Sequence, residues 1–537
     1  MRQNKHYKKR FVVGILFIAS SLSACNTTAT RVATPQASQP AGASMLAAAE
    51  PAVLSAPAVV NPKNADNLWQ RLSMQLELHT EAVDHPRTQK QIKRYLQNPL
   101  LLNTIAKRSS RYLYHIVESI EERGMPLEMA LLPVVESAFD PFAYSPGRAA
   151  GLWQFVPITA RHVGLKRSWW YDGRRDVAAA TASALDYLEE MNGRFDGDWL
   201  LALAAYNAGA GNVNKAIRRN KRLGKPLDYW SLKLPVETQN YIPKLLAIAE
   251  IVRNSEKYNL SLPEVPNKPY FTAVHTEGQI DLAQAADIAG ISIDEMYRLN
   301  PGFNRWATDP SGPHRLLIPM TAADRFRRGL AMIPRQERIH WRRYEVKPGD
   351  NLIKVANRFN TDVATIKASN QLAGNTIRAG QMLMLPTSRM PGEHYSLSEK
   401  QRRIAAQNRV KSPRHNRIFH KVQNGESMWT IARKHNVSTE AIARWNNLSP
   451  KDMIHPGQKL AVWVYNEKRK QTVASAIPAG RDVTRKVGYT VRNGDSLARI
   501  AGKFNVRIND IVQWNSINPG KYLQPGQNLT LYVNVTR

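Results

Sequence analysis

Residues 131–139 read Leu131-Leu132-Pro133-Val134-Val135-Glu136-Ser137-Ala138-Phe139. A single acid, Glu136, stands in an otherwise apolar run. If the run is helical and packed, Glu136 enters a poorly solvated environment. There the carboxylate is disfavoured and the proton is held toward neutral pH, as a general acid requires. In isolation the same residues also fit an acid on the wet edge of an amphipathic helix, so the neighbouring sequence has to decide.

Outward from this run, residues 66–260 show helical periodicity. Val177 to Met191 and Trp199 to Ile217 are rich in Ala and Leu with little β-branching, which predicts two helices. Short Gly, Pro and Asp clusters separate the apolar segments. Three further segments follow the Glu136 run in order: Gly151-Leu152-Trp153-Gln154-Phe155, then Ala205-Tyr206-Asn207-Ala208-Gly209-Ala210-Gly211, then Glu237-Thr238-Gln239-Asn240-Tyr241-Ile242-Pro243. Each is modest alone, but the ordered set is specific.

Together the four segments resemble the catalytic domain of lytic transglycosylases related to goose-type lysozyme, over about Leu96 to Tyr258. The resemblance implies a mostly α, lysozyme-like domain with Glu136 as the catalytic acid and no cofactor or metal. It implies substrate contacts from Ser137, Gln154, Tyr206, Asn207 and Tyr241. Ser137 is expected to bond Glu136 or the substrate. The amides of Gln154 and Asn207 suit N-acetyl groups, and the Tyr241 hydroxyl suits orienting the acid. Tyr206 reads equally well as packing or as cleft, and Trp153, Trp169 and Trp170 at least as well as core as sugar platforms. Gly209 and Gly211 fit a close turn or the approach of a sugar. Asp140, before Pro141, reads as structural, and Glu237 as a poor second acid. A single acid fits the family's route: cleavage of the MurNAc-GlcNAc β-1,4 bond without water, leaving a 1,6-anhydro-MurNAc end. The alternatives are a hydrolytic muramidase of the same fold and a non-catalytic wall anchor.

The C-terminal part repeats itself. Gly349-Asp350-Asn351-Leu352 recurs as Gly425-Glu426-Ser427-Met428 and as Gly494-Asp495-Ser496-Leu497, and each glycine is followed 21 residues on by Asn370, Asn446 or Asn515. Each unit closes on Gly-Gln before an apolar strand: Gly380-Gln381, Gly457-Gln458 and Gly526-Gln527. The pattern predicts three small α+β (βααβ) units, at 342–386, 419–465 and 488–534, with helices such as Leu352–Phe359 and Asp362–Ser369. The acidic or hydroxyl residue after each glycine is placed to help cap the first helix. These units resemble the lysin motif (LysM), which binds N-acetylglucosamine polymers. That implies glycan contact at Gly349, Asp350, Gly425, Glu426, Gly494 and Asp495, although fold maintenance is the simpler explanation of Gly and Asn. A degenerate LysM-like segment is expected at 268–320, with a packing role. There Leu282 and Asn300 keep the spacing of Leu352 and Asn370, but Gln279 and Ile280 replace the Gly-Asp turn and Trp306–Gly312 is inserted.

The N-terminus carries an address. Basic residues Lys5 to Arg10 precede an apolar run from Phe11 to Leu22, too short to span a bilayer, which closes on Leu22-Ser23-Ala24-Cys25. This resembles the lipobox of bacterial lipoproteins. It implies a signal peptide at 1–24, acylation of Cys25 and, with Asn26 next, sorting to the outer membrane, facing the periplasm of a Gram-negative cell. Residues 25–65, rich in Ala and Pro near their start, read as a tether.

Composition narrows the partners. The chain has 537 residues with 75 Lys+Arg, 43 Asp+Glu and one Cys, so it is multidomain and strongly basic, without a disulfide framework or a thiolate zinc cluster. The histidine stretches His79–His85 and His415–His420 lack metal-ligand partners and read as solvated surface. Residues 341–537 hold 33 basic and 12 acidic groups. Much of that excess lies in two expected linkers, 387–418 and 466–487, where it can lie along an anionic polymer in a salt-sensitive way. No nucleic-acid recognition motif accompanies the charge, and an export address argues against nucleic acid. Peptidoglycan is the expected partner, with the outer membrane reached through the N-terminal lipid.

Overall fold

A computed structural model describes residues 61–78, 82–409, 415–465, 484–518 and 523–534. The signal segment, Cys25, almost all of the tether and most of the second basic linker lie outside the described residues.

The catalytic block is helical: α1 (Leu68–Ser73), α2 (Pro86–Leu96), α3 (Pro99–Ser109), α4 (Leu113–Glu121), α5 (Leu132–Ser137), α6 (Pro157–His162), α7 (Val177–Arg194), α8 (Trp199–Ala208), α9 (Ala210–Arg222) and α10 (Val236–Arg253). Helix α10 is the axle. From Tyr241 to Val252 all its residues but Lys244 are buried, and it packs against α1, α2, α5 and α8. A helix apolar on nearly every side must lie at the centre of its bundle. Asp176 and Asp198 cap α7 and α8, each carboxylate accepting a backbone N–H in the first turn. The expected helix Trp199–Ile217 is two helices. Gly209, at φ 84° and ψ 137°, breaks it, because only glycine adopts that conformation without strain.

Four two-stranded antiparallel sheets follow: β1 (Phe271–His275) with β2 (Arg315–Pro319), β3 (His340–Glu345) with β4 (Met382–Thr387), β5 (His415–Lys421) with β6 (Lys459–Tyr465), and β7 (Thr484–Thr490) with β8 (Asn528–Asn534). Each sheet brackets two short helices. These are α11 (Leu282–Ala289) and α12 (Ile293–Leu299) in the first unit, followed after β2 by α13 (Ala323–Ala331), which packs on α11. The next unit has α14 (Leu352–Phe359) and α15 (Val363–Ser369). In the last unit the pair is Leu497–Phe504 and Ile508–Asn515.

The repeated asparagine is a clip. Asn370 Nδ2 donates to Ile366 O and Met384 O while its Oδ1 accepts Met384 N–H, which ties the second helix to the second strand. Asn446, Asn515 and Asn300 do the same in their own units, so the degenerate segment retains the clip after losing the turn. The acid after the turn glycine does not cap the helix. Asn351, Ser427 and Ser496, one residue later, are the caps. The acids instead pin the turn. Asp350 accepts from the Tyr344 hydroxyl and Lys347 N–H, and Asp495 from Tyr489 and Arg492 N–H. In the second unit Glu426 accepts Gln423 N–H and bonds His420, which in turn meets His435 at 3.1 Å. His420 is therefore buried and partnered, not solvated surface.

The segment expected as a basic linker at 387–418 is, over 389–408, a packed strap. Tyr395 is buried, with its hydroxyl on Asp281 (2.8 Å). Helix α16 (Glu399–Asn408) places Glu399 on Arg305 and Arg402 over the Phe142 ring. The Arg402 guanidinium lies over that ring and donates to Leu397 O, so this cation is engaged within the fold and is not free to reach for polymer. The second LysM unit, with α17 (Met428–Lys434) and α18 (Thr439–Trp445), joins the strap through Gln407, which donates to Asn446 Oδ1 (2.8 Å).

Candidate active site

The chain around Glu136 is built to hold the acid still. Helix α5 is six residues long, opens with Pro133 in its first turn and stops where Ala138 (φ 50°) and Phe139 (φ 54°) turn left-handed. Two consecutive non-glycine residues in that region are strained and need outside support. Phe139, fully buried, supplies it. Glu136, the penultimate residue of α5, borders two adjoining cavities of about 670 and 530 Å³. Both are also lined by Val135, Ser145, Gln154 and Lys244, so the acid sits midway along a groove.

Burial raises the Glu136 carboxyl to about 7, helped by the Glu237 charge and opposed by the Tyr241 hydroxyl and Lys244. Tyr241, reaching from α10, donates to Glu136 Oε1 at 2.6 Å. Its own ionisation is pushed far up by burial and by the adjacent acid, so it remains a donor. Among the described residues no second carboxylate is hydrogen-bonded to Glu136. Asp140 is engaged with Phe142 N–H in a local turn, as a structural reading of it expects.

The other expected residues divide into those that face the groove and those that brace it. Ser137 Oγ lies 3.1 Å from Pro133 O and 3.0 Å from Leu152 O. It ties α5 to the Gly151–Phe155 segment and does not bond Glu136. Gln154 lines both cavities at a left-handed φ of 48°. Its Nε2 donates to Gly151 O (2.8 Å), which leaves Oε1 to accept. Gly151 is obligatory, because a Cβ there would lie 2.0 Å from Arg174 O. Tyr206 lines the larger cavity but donates to Trp153 O (2.9 Å), so it braces and can only accept from a ligand. Asn207 lines the same cavity, and its Oδ1 accepts from the Thr238 hydroxyl (2.8 Å), which leaves its two N–H donors for the groove.

The tryptophans belong to packing. Trp153 is fully buried and donates to Thr181, Trp170 is buried and donates to Asp362, and Trp169 stacks with Arg305. Sequence reasoning missed Thr238 and Lys244. The signal was present: Thr238, Tyr241 and Lys244 are spaced three apart on α10 and therefore share a face. A larger cavity, about 770 Å³, holds Lys63, Glu77, Glu118 and Glu121 but none of the four motifs, and Arg71 pairs with both Glu118 and Glu121.

The arrangement supplies a protonated acid at neutral pH, a hydroxyl that fixes one of its oxygens, and amide donors and acceptors along a groove. It suits protonation of an ether oxygen in an amide-bearing polymer.

Comparison with known proteins agrees. The Transglycosylase SLT domain family matches residues 114–228. The family described as Lytic transglycosylase MltD, LysM-like domain matches 270–335, and the LysM domain matches 344–386, 420–463 and 489–531. The chain is 36% identical over 410 residues to membrane-bound lytic murein transglycosylase D of Escherichia coli, covering 74% of this chain and 86% of the relative. It is also 30% identical over 196 residues to the N-acetylmuramoyl-L-alanine amidase sle1 of Staphylococcus aureus, covering 36% of this chain and 53% of that protein.

Proposed function

The chain belongs to the family of membrane-bound lytic murein transglycosylase D, and on that premise we propose that Glu136 acts as acid and then as base on one glycosidic bond. The protein is a lytic murein transglycosylase with LysM peptidoglycan-binding repeats. Glu136 gives its proton to the oxygen of the MurNAc-GlcNAc β-1,4 bond as that bond breaks. The N-acetyl oxygen of the muramic sugar stabilises the positive charge at C1. Glu136, now a carboxylate, takes the proton of the C6 hydroxyl, and O6 closes on C1 to leave the 1,6-anhydro end. Tyr241 orients the acid, while Gln154 and Asn207 hold acetamido groups. The observation that carries this reading is a carboxyl held near 7 with a tyrosine hydroxyl at 2.6 Å and, among the described residues, no second carboxylate bonded to it. Glu136→Gln should abolish lysis of sacculi while leaving sacculus binding intact; equal lysis by both proteins refutes the assignment.

The LysM turns at Gly349, Gly425 and Gly494 contact the glycan through their backbone, with Asp350, Glu426 and Asp495 holding each turn in shape. Cys25 carries the lipid that holds the chain on the outer membrane, facing the periplasm. The relative's name describes it as membrane-bound, and among the described residues no helix is long and apolar enough to cross a membrane. Incorporation of a labelled fatty acid by wild type and not by Cys25→Ser tests the anchor.

A further inference from the structure

We propose that the second LysM unit is a fixed support for the catalytic groove, holding the rim at 144–148 through Ser449 and Asp452. The inference rests on the reading of the groove above. Ser145, Pro146, Gly147 and Ala149 line the larger cavity from inside, and Tyr144 and Ser145 line the smaller one. From outside, the same rim is gripped by the loop between α18 and β6. Ser449 Oγ donates to Pro146 O at 2.6 Å. The Tyr144 hydroxyl donates to Asp452 Oδ1 at 2.9 Å, and Arg148 Nε lies 3.1 Å from the same oxygen. Asp452 also accepts Ser449 N–H (2.9 Å), so the two grips brace each other.

Three further observations separate this contact from a chance touch of a tethered module. Ser449 is fully buried and the Asp452 side chain only 14% exposed, so the hydrogen bonds they make to the rim are largely shielded from water. The rim needs support, since Arg148 sits at φ 68° in a tight turn closed by the bridge between Tyr144 and Ala150. The grip is also particular to this unit. The positions of Ser449 and Asp452, counted from the clip asparagine, hold Ala373 and Thr376 in the first LysM unit and Asn518 and Lys521 in the third. The strap adds a second hold, with Arg402 over Phe142 and Gln407 on Asn446. Thus the loop between α18 and β6 is spent, in this unit, on the enzyme's own rim. Ser449 and Asp452 are positioning residues that act through Tyr144, Pro146 and Arg148.

The test uses the full chain as wild type, Asp452→Ala and Tyr144→Phe, the last approaching the contact from the catalytic side without touching the LysM fold. Backbone hydrogen exchange is read over 142–149, and KM and kcat are read on a soluble MurNAc-GlcNAc oligomer. Both variants should speed exchange of the rim about tenfold, leave α8 and α10 unchanged, and raise KM several-fold with kcat within about twofold. Rim exchange equal to wild type in both variants, or a loosened rim with unchanged KM, overturns the proposal. The exchange arm needs no turnover, so it judges the grip even if the functional reading fails.

Discussion

The Tyr241 hydroxyl donates a 2.6 Å hydrogen bond to Glu136 Oε1, joining the central helix of the bundle to the short helix that carries the acid. The bond stabilises the carboxylate over the acid, so it opposes the burial that raises Glu136 to about 7. Tyr241→Phe removes that opposition. The alkaline limb of the pH–rate profile, set by loss of the Glu136 proton, should move to higher pH, while the plateau kcat falls about tenfold as the acid loses its orientation. A limb that stays in place, or moves toward acid, contradicts the role given to Tyr241.

The same burial costs stability at neutral pH. Glu136 is held at about 7 in the folded chain against 4.5 as its ordinary value, so between these limits the unfolded chain releases its proton first. Stability from this group is therefore fully present below about 4.5 and is lost as pH rises through 7. Over that window the loss approaches about 3 kcal/mol as an upper figure, at about 1.4 kcal/mol per pH unit. Glu136→Gln, which cannot ionise, should match wild type near pH 4.5 and exceed it by about 1–3 kcal/mol at pH 8. Denaturant unfolding of both proteins at the two pH values measures it.

Thr238 is expected to act on Asn207 alone. Thr238→Val leaves Asn207 Oδ1 without its partner, and the amide can then turn. A loss of about 1 kcal/mol in substrate binding predicts a KM higher by roughly fivefold, with kcat and the position of the alkaline limb unchanged. The unmoved limb separates this effect from that of Tyr241→Phe.

The clip asparagine should govern the stability of each LysM unit. Asn446 is fully buried and makes three backbone hydrogen bonds within its unit. Asn446→Ala removes them, leaves Ala461 N–H and O without their side-chain partner, and should cost the unit about 2–3 kcal/mol. Limited proteolysis within 415–465 should rise, with the helical domain untouched.

How far the sequence could be read follows from how local each feature is. The Glu136 run, the Gly-Leu-Trp-Gln segment and the repeat spacing are legible because each is a short local pattern and their fixed order removes the ambiguity each has alone. The break at Gly209 was hidden because helix propensity on both sides is high, and only the backbone shows φ 84°. Ser137 reads by sequence as a partner of Glu136 or of the substrate, whereas its hydroxyl bonds Leu152 O, a partner set by packing of two segments. In the LysM turn the acid and the hydroxyl residue beside it both fit a helix cap by type, and in the second and third units the cap is the hydroxyl, Ser427 or Ser496. The side chain of Asp350 instead folds back to Tyr344 and Lys347, contacts that depend on the twist of the preceding strand. The strap at 389–408 reads as charge, because composition does not reveal that Arg402 packs half-buried over Phe142. The α10 residues that line or brace the cleft are within reach of the sequence, since Thr238, Tyr241 and Lys244 fall on one face.

The most direct test of the central claim is digestion of purified sacculi in oxygen-18 water, with the released muropeptides weighed by mass spectrometry and Glu136→Gln as the control. The account predicts wild-type products one water lighter than reducing muropeptides, free of heavy oxygen at C1, and no products from the variant. Reducing ends that carry heavy oxygen, or release by the variant at the wild-type rate, would contradict it.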